Sequence, residues 1–403
     1  MNPSIKKLAE IANKRSRRII GLMSGTSLDG LDIALCKVTG SGAATKVELE
    51  RFFTAPYQEE QKNRLKKVSS VENVSLGELC YQHTWLSVVH SQMILNTLAE
   101  WQIKPDEVDC IASHGQSVYH LPARDLWQTS EKLNSTLQIA DGDHIAARTG
   151  ILTISDFRQK HTAYGGEGAP LAALVDRLLF VNETESVILL NIGGIANFTY
   201  LPAGQNKHET SFTTDCGPGN TLIDNVMQKY YQKPFDEDGM TAASGMVHHQ
   251  LLDALASDEW LKENQSKSTG PEYFNLAWLS ERAKQAGIDL AGIDPADLVA
   301  TVTELSAVTI SESITRNIGN QGQPIIYTSG GGAHNPVLAG RLKELLPGSN
   351  VKNFLQLGLD PDAKEAVIFA VLANEMLAGS GFSFKAGNKN LQNIHLGKIS
   401  FPD

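Results

Sequence analysis

The sequence is short of positive charge and of cysteine, and both shortages narrow the classes of function. Its 403 residues hold 35 Lys and Arg against 45 Asp and Glu, which gives a formal net charge of −10. We therefore expect neither nucleic acid nor an anionic membrane surface as a partner, although local cations and backbone dipoles still allow a small anion to bind. The four cysteines are widely separated and form no CxxC pair. Cysteine-based metal spacing is thus absent, and a disulfide framework is not expected in a chain of this size.

The chain also lacks a long apolar run. No stretch approaches the ~20 apolar residues that a membrane-spanning helix needs. The segment Met1–Arg18 is basic, but the apolar run behind it covers only Ile19–Met23, which is too short for the core of a signal peptide. We therefore expect a cytoplasmic protein. With 41% hydrophobic and 20% charged residues the composition is that of a globular protein, and the length suits two domains.

What the sequence does contain is a strand–loop–strand pattern at Ile19–Cys36. Two apolar runs, Arg18–Met23 and Leu31–Val38, flank a polar turn and predict a β-hairpin. Glycines let the main chain approach a ligand and let successive N–H groups converge on an anion, so the loop suits phosphate oxygens. A tight turn that needs its glycines only for geometry would give the same pattern. The loop offers small hydroxyls beside glycines: Ser24, Gly25, Thr26, Ser27 and Gly30.

Two further glycine loops support the phosphate interpretation. Val187–Leu201 repeats the pattern of buried strand, glycine-bearing turn and second strand, and Ile325–Pro336 places three glycines directly behind a strand. Three such loops are hard to explain as ordinary turns, and together they predict a nucleotide held in a cleft. In addition, the turn 217–220 opens a predicted helix, whose free N–H groups form an anion site. Asp215, just before this turn, either faces a metal or caps the helix.

Polar residues follow two other predicted strands. The strand Asp109–His114 leads into Ser113-His-Gly-Gln116, and Ile151–Ser155 leads into Asp156-Phe-Arg158. Open α/β sheets bind ligands at the carboxyl ends of their strands. A carboxylate fixed by a strand and surrounded by loops suits a general base, which favours Asp156 for that role. The alternative for His114 is a residue that only makes hydrogen bonds within its own loop. The alternative for Asp156 is an exposed ion pair with Arg158.

Helical spacing of apolar residues predicts helices at residues 4–13, Leu76–Trp101 and Leu171–Phe180. Asp294-Pro295 supplies the N-cap and the first position of another helix, which runs to about Asn317. Within it, Glu304 has small or apolar neighbours at helical spacing. A contact between Glu304 and a ligand is therefore expected.

These motifs, in this order, resemble those of the 1,6-anhydro-N-acetylmuramic acid kinases of bacterial cell-wall recycling. The resemblance covers nearly the whole chain from Arg18 on. It implies the two-domain, ribonuclease H-like α/β fold that sugar kinases, actin and Hsp70-type ATPases share, with an ATP cleft between the domains. The repeated hairpins predict a domain boundary near residue 155, so that with this fold the domains are 1–155, joined by about 362–403, and 156–361. The stretches that carry the resemblance are Gly21–Asp32, Ser113–Gln116, Ser155–Arg158, Gly165–Pro170, Asn191–Asn197, Asp215–Asn220 and Ser329–Gly332.

The resemblance also implies the reaction, the cofactors and the site. With ATP and Mg²⁺, Asp156 would act as the general base that activates water to attack C1 of the anhydro sugar. O6 would take the γ-phosphoryl group, which gives N-acetylmuramic acid 6-phosphate and ADP. A homodimer is implied, and the direct Mg²⁺ ligands stay unassigned. The residues expected to bind ATP are Gly25, Thr26, Ser27, Leu28, Asp29, Gly30, Leu31, Asp32, Asn191, Gly193, Gly194, Asn197, Gly330, Gly331 and Gly332. Those expected to bind the sugar are His114, Gln116, Arg158, Gly217, Gly219, Asn220 and Glu304.

Two other functions are compatible with the same loops. The first is a kinase for a different amino sugar, in which the sugar-facing residues would bind another ring. The second is a nucleotide-switched binding or filament protein on the same fold, as actin and Hsp70 are. The lack of a separate client-binding domain and the position of Asp156 weigh against the second alternative.

Overall fold

The chain forms two units, each built around its own β-sheet. Met1–Leu179 and Asp362–Asp403 make up the first unit, and Phe180–Pro361 makes up the second. The computed structural model describes residues 2–25, 27–123, 133–169, 171–204, 211–263, 269–270, 272–319, 323–386 and 389–403.

Residues 156–179 group with the first unit, so the division lies beyond the boundary near 155 that the repeated hairpins predict. Side-chain contacts explain the grouping. Gln159 donates a hydrogen bond to the carbonyl oxygen of Thr136 at 2.7 Å, and the Lys364 ammonium lies 3.0 Å from the buried Asp176 carboxylate. Both contacts tie this segment to elements of the first unit.

The first unit contains a mixed sheet whose order is β3-β2-β1-β4-β6-β14, with β5 paired to the second half of β4. The first three strands form an antiparallel meander, whereas β4 runs parallel to β1 and β6 runs parallel to β4. Among the described residues, two more strands form a separate hairpin. In chain order the strands of this unit are β1 (Ser16–Ser24), β2 (Gly30–Thr39), β3 (Lys46–Pro56), β4 (Cys110–Leu121), β5 (Ser135–Ile139), β6 (Thr153–Ser155), β12 (Phe382–Ala386), β13 (Lys389–Ile394) and β14 (Lys398–Ser400).

Helices cover this sheet and bury its apolar side chains. A glycine at position 21 is required because a Cβ there would lie 1.8 Å from the carbonyl oxygen of Ala366, so Gly21 lets a helix lie directly against β1. Ile20, Ile33 and Ile111 form the centre of the core on this sheet. The helices of this unit are α1 (Pro3–Ala12), α2 (Glu59–Lys66), α3 (Leu76–Glu100), α4 (Gly142–Thr149), α5 (Phe157–Ala163), α6 (Ala172–Phe180, ending at the boundary) and α13 (Lys364–Ala378).

The basic N-terminal segment is fixed to the first unit by a buried arginine. The Arg17 guanidinium donates hydrogen bonds to the carbonyl oxygens of Ile11 and Lys14 at 3.0 and 2.7 Å, and to that of Ala12 at 2.5 Å. It also donates to the side-chain oxygen of Asn374 in α13 at 2.9 Å. Arg17 thus donates to carbonyl groups at the C-terminal end of α1 and just beyond it, where a helix offers few donors of its own.

The second unit repeats the sheet order of the first. Its strands lie in the order β11-β10-β7-β8-β9. The strands β7, β8 and β9 form an antiparallel meander, and β10 and β11 run parallel to β7. In chain order they are β7 (Val187–Ile192), β8 (Ile195–Leu201), β9 (Phe212–Pro218), β10 (Ile325–Ser329) and β11 (Asn350–Asn353).

A long buried helix organises the packing of the second unit. Its N-cap is Asp294, whose carboxylate accepts a hydrogen bond from the N–H of Ala296, and Pro295 occupies its first position, as the sequence predicts. Ile310 and Ile314 pack against the sheet, and Val299 and Val302 pack against the neighbouring helices. The helices of this unit are α7 (Thr221–Tyr231), α8 (Met240–Ser244), α9 (His249–Ala256), α10 (Leu276–Gln285), α11 (Pro295–Ile318) and α12 (Pro336–Leu345).

The duplicated order, an antiparallel meander followed by two parallel strands, confirms the predicted fold class: an α/β protein of the two-domain sugar kinase type. All four cysteines are free thiols, and only Cys80 among them is exposed. Of the helices that the structure describes, none has the length and apolar character needed to cross a bilayer.

The contacts of Arg17 predict a large loss of stability on its replacement. Arg17→Met would remove four hydrogen bonds, two of them buried and two partly buried, and we expect the free energy of unfolding to fall by about 3 kcal/mol. Urea unfolding followed by circular dichroism measures this change. Arg15→Met, at an exposed site two residues earlier, is the control and should change stability by less than about 0.5 kcal/mol. Equal, small losses in both variants would contradict the anchoring role.

Candidate functional site

The loop of the first hairpin is held at both ends. Ser24 ends β1 and Gly30 begins β2. Between them Leu28 takes a left-handed conformation, with φ of +56°, and its side chain is buried among apolar residues of the first unit. The carbonyl oxygen of Asp29 accepts a hydrogen bond from the N–H of Tyr57 at 3.0 Å. Thr26, which we expect to bind ATP, lies outside the described residues.

Gly25 in this loop has no packing reason to be glycine. A Cβ at this position would meet nothing closer than the Ser27 hydroxyl at 3.7 Å, and its φ is not in the left-handed region. By contrast, a Cβ at Gly30 would lie 2.4 Å from the carbonyl oxygen of Ala55. The fold therefore explains Gly30 and leaves Gly25 available for a close approach of a ligand to the main chain.

Two carboxyl groups of the first unit, one of them on this hairpin, interact electrostatically. Asp32 on β2 accepts a hydrogen bond from the Thr54 hydroxyl at 2.6 Å, and burial raises the pKa of its carboxyl above the usual value. Burial also raises the pKa of Glu365 in the first turn of α13, and the nearby Asp32 adds to that shift. Sequence reasoning missed Glu365, although an acidic residue at the start of an otherwise apolar helix is the kind of signal that could have found it.

Asp156 lines a cavity of about 520 Å³ in the first unit, together with His114 and Gln159. It takes a left-handed conformation, with φ of +57°, between β6 and α5. Its carboxylate pairs with the ammonium of Lys398, which β14 places beside the end of β6. The alternative of an ion pair between Asp156 and Arg158 is not observed: Asp156 pairs with Lys398, from a strand that the sequence did not predict, and Arg158 donates to His114.

His114 is buried and both of its ring nitrogens are engaged. Arg158 donates a hydrogen bond from Nε to His114 Nε2 at 2.9 Å, and Nδ1 lies 2.8 Å from the carbonyl oxygen of Gly115. Since a guanidinium can only donate, Nε2 accepts and the proton of the neutral ring lies on Nδ1. Burial, reinforced by the charge of Arg158, lowers the pKa of His114 to about 3. His114 is thus a neutral residue that orients Arg158.

Gln116, the next polar side chain of β4, is fully buried rather than placed at a cavity wall. Its carboxamide oxygen accepts a hydrogen bond from the Ser24 hydroxyl at 2.5 Å. The Ser24 hydroxyl also lies 2.8 Å from the hydroxyl of Tyr57, which in turn lies 2.6 Å from Nε2 of His90. The structure therefore places Gln116 in a buried polar cluster behind the first loop.

The second unit brings three predicted motifs together: 191–197, 217–220 and 330–332. The N–H of Asn220 donates to the carbonyl oxygen of Gly193 at 2.8 Å, and the N–H of Gly219 donates to that of Gly194 at the same distance. The Asn220 side chain donates to the carbonyl oxygen of Ile192 at 3.2 Å. These bonds join the first two loops beside the N-terminus of α7. The third loop lies against both, since a Cβ at Gly332 would lie 2.3 Å from the side chain of Ile192 and 2.9 Å from that of Asn220.

Glycines in this loop cluster fall into two kinds. Gly193 and Gly331 have room for a Cβ, with the nearest atoms 3.6 and 3.5 Å away. Neither takes a left-handed conformation. The remaining glycines of the cluster are explained by packing, because a Cβ would come within 3 Å of a neighbouring atom: Gly194, Gly217, Gly219, Gly330 and Gly332.

Two further polar residues of the cluster lie opposite each other on β8 and β9. Asn197 pairs in register with Asp215 and also with Asn191. One carboxylate oxygen of Asp215 accepts a hydrogen bond from the N–H of Thr269 at 2.8 Å. Asp215 is partly exposed and lies on a strand, five residues before the N-cap of α7.

Glu304 lies on α11 in the second unit, where its carboxylate is engaged by Arg341. The Arg341 guanidinium donates to both oxygens of Glu304 at 2.7 Å, a bidentate geometry. This pair explains how a carboxylate is tolerated among small and apolar neighbours. The expected ligand contact of Glu304 would therefore involve the pair rather than a free carboxylate.

Comparisons with known proteins agree with one another. The sequence profile of a family described as "Anhydro-N-acetylmuramic acid kinase" matches residues 17–402. Curated proteins of that name are similar along their whole length: those of Pseudoalteromonas atlantica and Pseudoalteromonas translucida are 45% and 44% identical, with 100% of both chains covered. The protein of that name from Caldanaerobacter subterraneus is 37% identical, covering 98% of this chain and 99% of its own.

Two buried histidines predict a loss of stability in mild acid. Burial lowers the pKa of His90 and of His114 to about 3 from the ordinary 6.5. Below pH 6.5 the unfolded state therefore binds more protons, and stability falls as the pH falls. Between pH 7.5 and 5.5 each histidine should remove about 1.4 kcal/mol from the free energy of unfolding.

Urea unfolding of the wild type and of His90→Gln at the two pH values measures the part of this loss of stability that is due to His90. The pH-dependent loss should be about 1.4 kcal/mol smaller in the variant. His249→Gln, at an exposed site, is the control. A loss of the same size in the wild type and in His90→Gln would show that His90 is not buried as a neutral ring.

Proposed function

The chain belongs to the anhydro-N-acetylmuramic acid kinase family, and from this premise we propose its full reaction. Membership makes the protein an ATP-dependent kinase of an anhydro sugar. We propose that it opens the 1,6-anhydro ring of 1,6-anhydro-N-acetylmuramic acid with water and phosphorylates O6. The products would be N-acetylmuramic acid 6-phosphate and ADP, as cell-wall recycling requires. Because the reaction consumes ATP, we place it in the cytoplasm.

The observation that carries the proposal is the set of glycines that the fold does not need. Gly25 in the first unit, and Gly193 and Gly331 in the second, each have room for a side chain and an ordinary φ. Each lies in one of the three loops that the sequence predicts to bind phosphate. Absence of a side chain exposes the main-chain N–H groups, which suits contact with phosphate oxygens.

The loop cluster of the second unit has the further property of an anion site. The helix α7 begins at Thr221, and its N-cap Asn220 makes no capping hydrogen bond with its side chain. The first N–H groups of a helix carry a partial positive charge and bind phosphate readily. Because phosphoryl transfer depends on positioning and charge stabilisation, such fixed donors are suited to it.

Mg²⁺ fits the carboxylates of the first unit in the way that kinases usually bind it. Among the described residues no three His, Cys, Asp or Glu side chains gather into a metal site of their own. Mg²⁺ commonly keeps several waters and is held by one or two carboxylates together with the substrate phosphates. We propose that Asp32 and Glu365 would supply these carboxylates. When bound, Mg²⁺ would neutralise charge on the phosphates.

For the general base we propose Asp156. Lys398 holds the carboxylate in place at the end of β6, and the carboxylate lines a cavity large enough for part of a sugar. As this carboxylate takes a proton from water, the water oxygen bonds to C1 and the C1–O6 bond breaks. O6 then takes the γ-phosphoryl group, and ADP leaves.

A second carboxylate, Asp215, competes for the role of base. It lies on β9 directly before the turn whose N–H groups bond to Gly193 and Gly194. A base at this position would stand beside the loops that we propose to hold the phosphates. That placement favours Asp215, whereas the pairing of Asp156 with Lys398 leaves that carboxylate less free to move.

The proposed sugar contacts follow from the groups left available. His114 orients Arg158, whose other guanidinium nitrogens can donate to sugar oxygens. Glu304 likewise holds Arg341. The sugar contacts of Gly217, Gly219 and Asn220 stay predictions, because the N–H groups of Gly219 and Asn220 already donate to Gly194 and Gly193. The homodimer stays a prediction, which equilibrium sedimentation tests.

Replacement of Gly25 tests the phosphate contact without disturbing the fold. Gly25→Ala should leave the unfolding midpoint unchanged but raise the KM for ATP about tenfold, which corresponds to about 1.4 kcal/mol. Gly77→Ala in α3 is a matched control, since its Cβ would also meet only a serine hydroxyl at 3.7 Å. The control should bind ATP as the wild type does. An unchanged KM in Gly25→Ala would remove this loop from the ATP site.

Asparagine variants at the two aspartates test the reaction and the base together. We expect wild type with 1,6-anhydro-N-acetylmuramic acid and ATP-Mg to release ADP and to form a phosphorylated, ring-opened sugar. Asp156→Asn should lose about 10²–10⁴ in kcat with a small change in ATP binding, as removal of a general base predicts. Asparagine also tolerates the left-handed conformation of this position.

The comparison with Asp215→Asn decides between the two carboxylates. A comparable loss in Asp215→Asn, with Asp156→Asn near wild type, would transfer the role of base to Asp215. Full activity of both variants would exclude both. No product from wild type with this sugar would reject the substrate, and a panel of other amino sugars would then test the alternative kinase. ATP-dependent sedimentation of large particles would favour a filament protein instead.

A further inference from the structure

A line of buried hydrogen bonds runs behind the first loop of the first unit. It joins His90 on α3, Tyr57 after β3, Ser24 at the end of β1 and Gln116 on β4, with contact distances of 2.6, 2.8 and 2.5 Å in that order. All four side chains are at most 3% exposed. Bulk water therefore does not reach them, and each group makes its hydrogen bonds with its neighbours in the line.

Gln116, at the end of this line, determines which atom donates and which accepts in every hydrogen bond of the line. A carboxamide oxygen can only accept, so Ser24 donates its single hydroxyl proton to Gln116 Oε1. The Ser24 oxygen must then accept from the hydroxyl of Tyr57. Because the Tyr57 proton is used in this bond, His90 donates from Nε2 to the Tyr57 oxygen. Nδ1 of His90, which has no partner, is left as an unprotonated acceptor, the less costly group to leave unpaired.

Tyr57 also holds the other end of the loop. Its hydroxyl contacts Ser24, which directly precedes Gly25, and its N–H donates to the carbonyl oxygen of Asp29 at 3.0 Å. Between these two points the side chain of Leu28 packs in the same apolar cluster as the Tyr57 ring. One residue thus fixes both ends of the segment that carries Gly25.

We propose that Tyr57 is a positioning residue for ATP, and that His90 sets the direction of its hydroxyl group. The inference rests on the proposed role of the 25–32 loop as a phosphate site. Phosphate recognition by main-chain N–H groups requires that they be held in place before the ligand arrives. Loss of the Tyr57 hydroxyl would leave Nε2 of His90 without an acceptor and would leave Ser24 held by Gln116 alone, so the start of the loop would be held less firmly.

Kinetic constants of Tyr57→Phe test the proposal. The KM for ATP should rise about tenfold, while the KM for the sugar stays at the wild-type value. Tyr200→Phe in the second unit is the matched control, since Tyr200 is also 3% exposed and its hydroxyl donates to Ser186. A merely structural role would lower the unfolding midpoint of Tyr57→Phe without changing the KM for ATP, and that result would overturn the proposal.

Two variants at His90 test the direction of the line. His90→Gln retains a nitrogen donor at a similar distance along the side chain, whereas His90→Met has a similar length and no donor. The KM for ATP should stay within about twofold of the wild type in the first and should rise as in Tyr57→Phe in the second. Equal constants in the two variants would overturn the role of His90. Should Tyr57→Phe fail to fold, this pair decides on its own.

Nitrogen NMR of histidine-labelled protein provides a readout that is independent of activity. His90 should carry its proton on Nε2 and His114 on Nδ1, with His90→Gln used to assign the His90 signal. A proton on Nδ1 of His90 would contradict the donation from His90 to Tyr57. Direct ATP titration separates the two proposals: failure of the wild type to bind ATP rejects the proposed function. Weaker binding in Gly25→Ala with wild-type binding in Tyr57→Phe would reject only the positioning role of Tyr57.

Discussion

The positions of the candidate residues depend on one constraint, the parallel alignment of the central strands within each unit. In the first unit β4 runs parallel to β1 and β6 runs parallel to β4. In the second unit β10 runs parallel to β7. Parallel neighbours end at the same edge of a sheet, and ligands bind there. The first loop and Asp156 therefore share one edge in the first unit, and Gly193 and Gly331 share one edge in the second.

The space around each glycine distinguishes two reasons for having glycine at a position, which look the same in the sequence. Gly21 is needed because α13 lies against β1, and Gly219 because the carbonyl oxygen of Gly193 lies where its Cβ would be. Gly25, Gly193 and Gly331 have no such neighbour. A glycine costs conformational entropy on folding. Where neither packing nor backbone conformation requires it, an uncovered main chain is the remaining physical reason for its presence.

Local signals made much of the fold predictable from the sequence. The two hairpins follow from apolar runs around glycine turns, and Asp294-Pro295 marks the start of α11 to the residue. The same pair of residues does not mark α13, which begins at Lys364 with Ala363 as its N-cap, three residues after Asp360-Pro361. A Gly- and Asn-rich tail gave no sign that residues 398–400 would complete the sheet beside β6.

The contacts of the site were predictable only where they are local. Motif spacing pointed to the loops, and the structure brings those of the second unit together. Motif spacing could not reveal that Lys398 pairs with Asp156, that Arg341 binds Glu304, or that Gln116 lies buried behind the first loop. Each of these contacts joins residues far apart in the sequence, and no periodicity encodes which distant side chain arrives beside another.

The side chains of the buried line behind the first loop are all neutral, and their neutrality has a physical consequence. An ionised side chain in that buried position would cost several kcal/mol in desolvation, and an anion there would repel a phosphate. Hydroxyl, carboxamide and neutral imidazole groups avoid both effects, while burial holds the pKa of His90 near 3 and keeps its ring uncharged. Their hydrogen bonds fix geometry without adding charge. The loop can therefore be held rigid by its support while the electrostatic attraction for phosphate comes from the N–H groups on its open side.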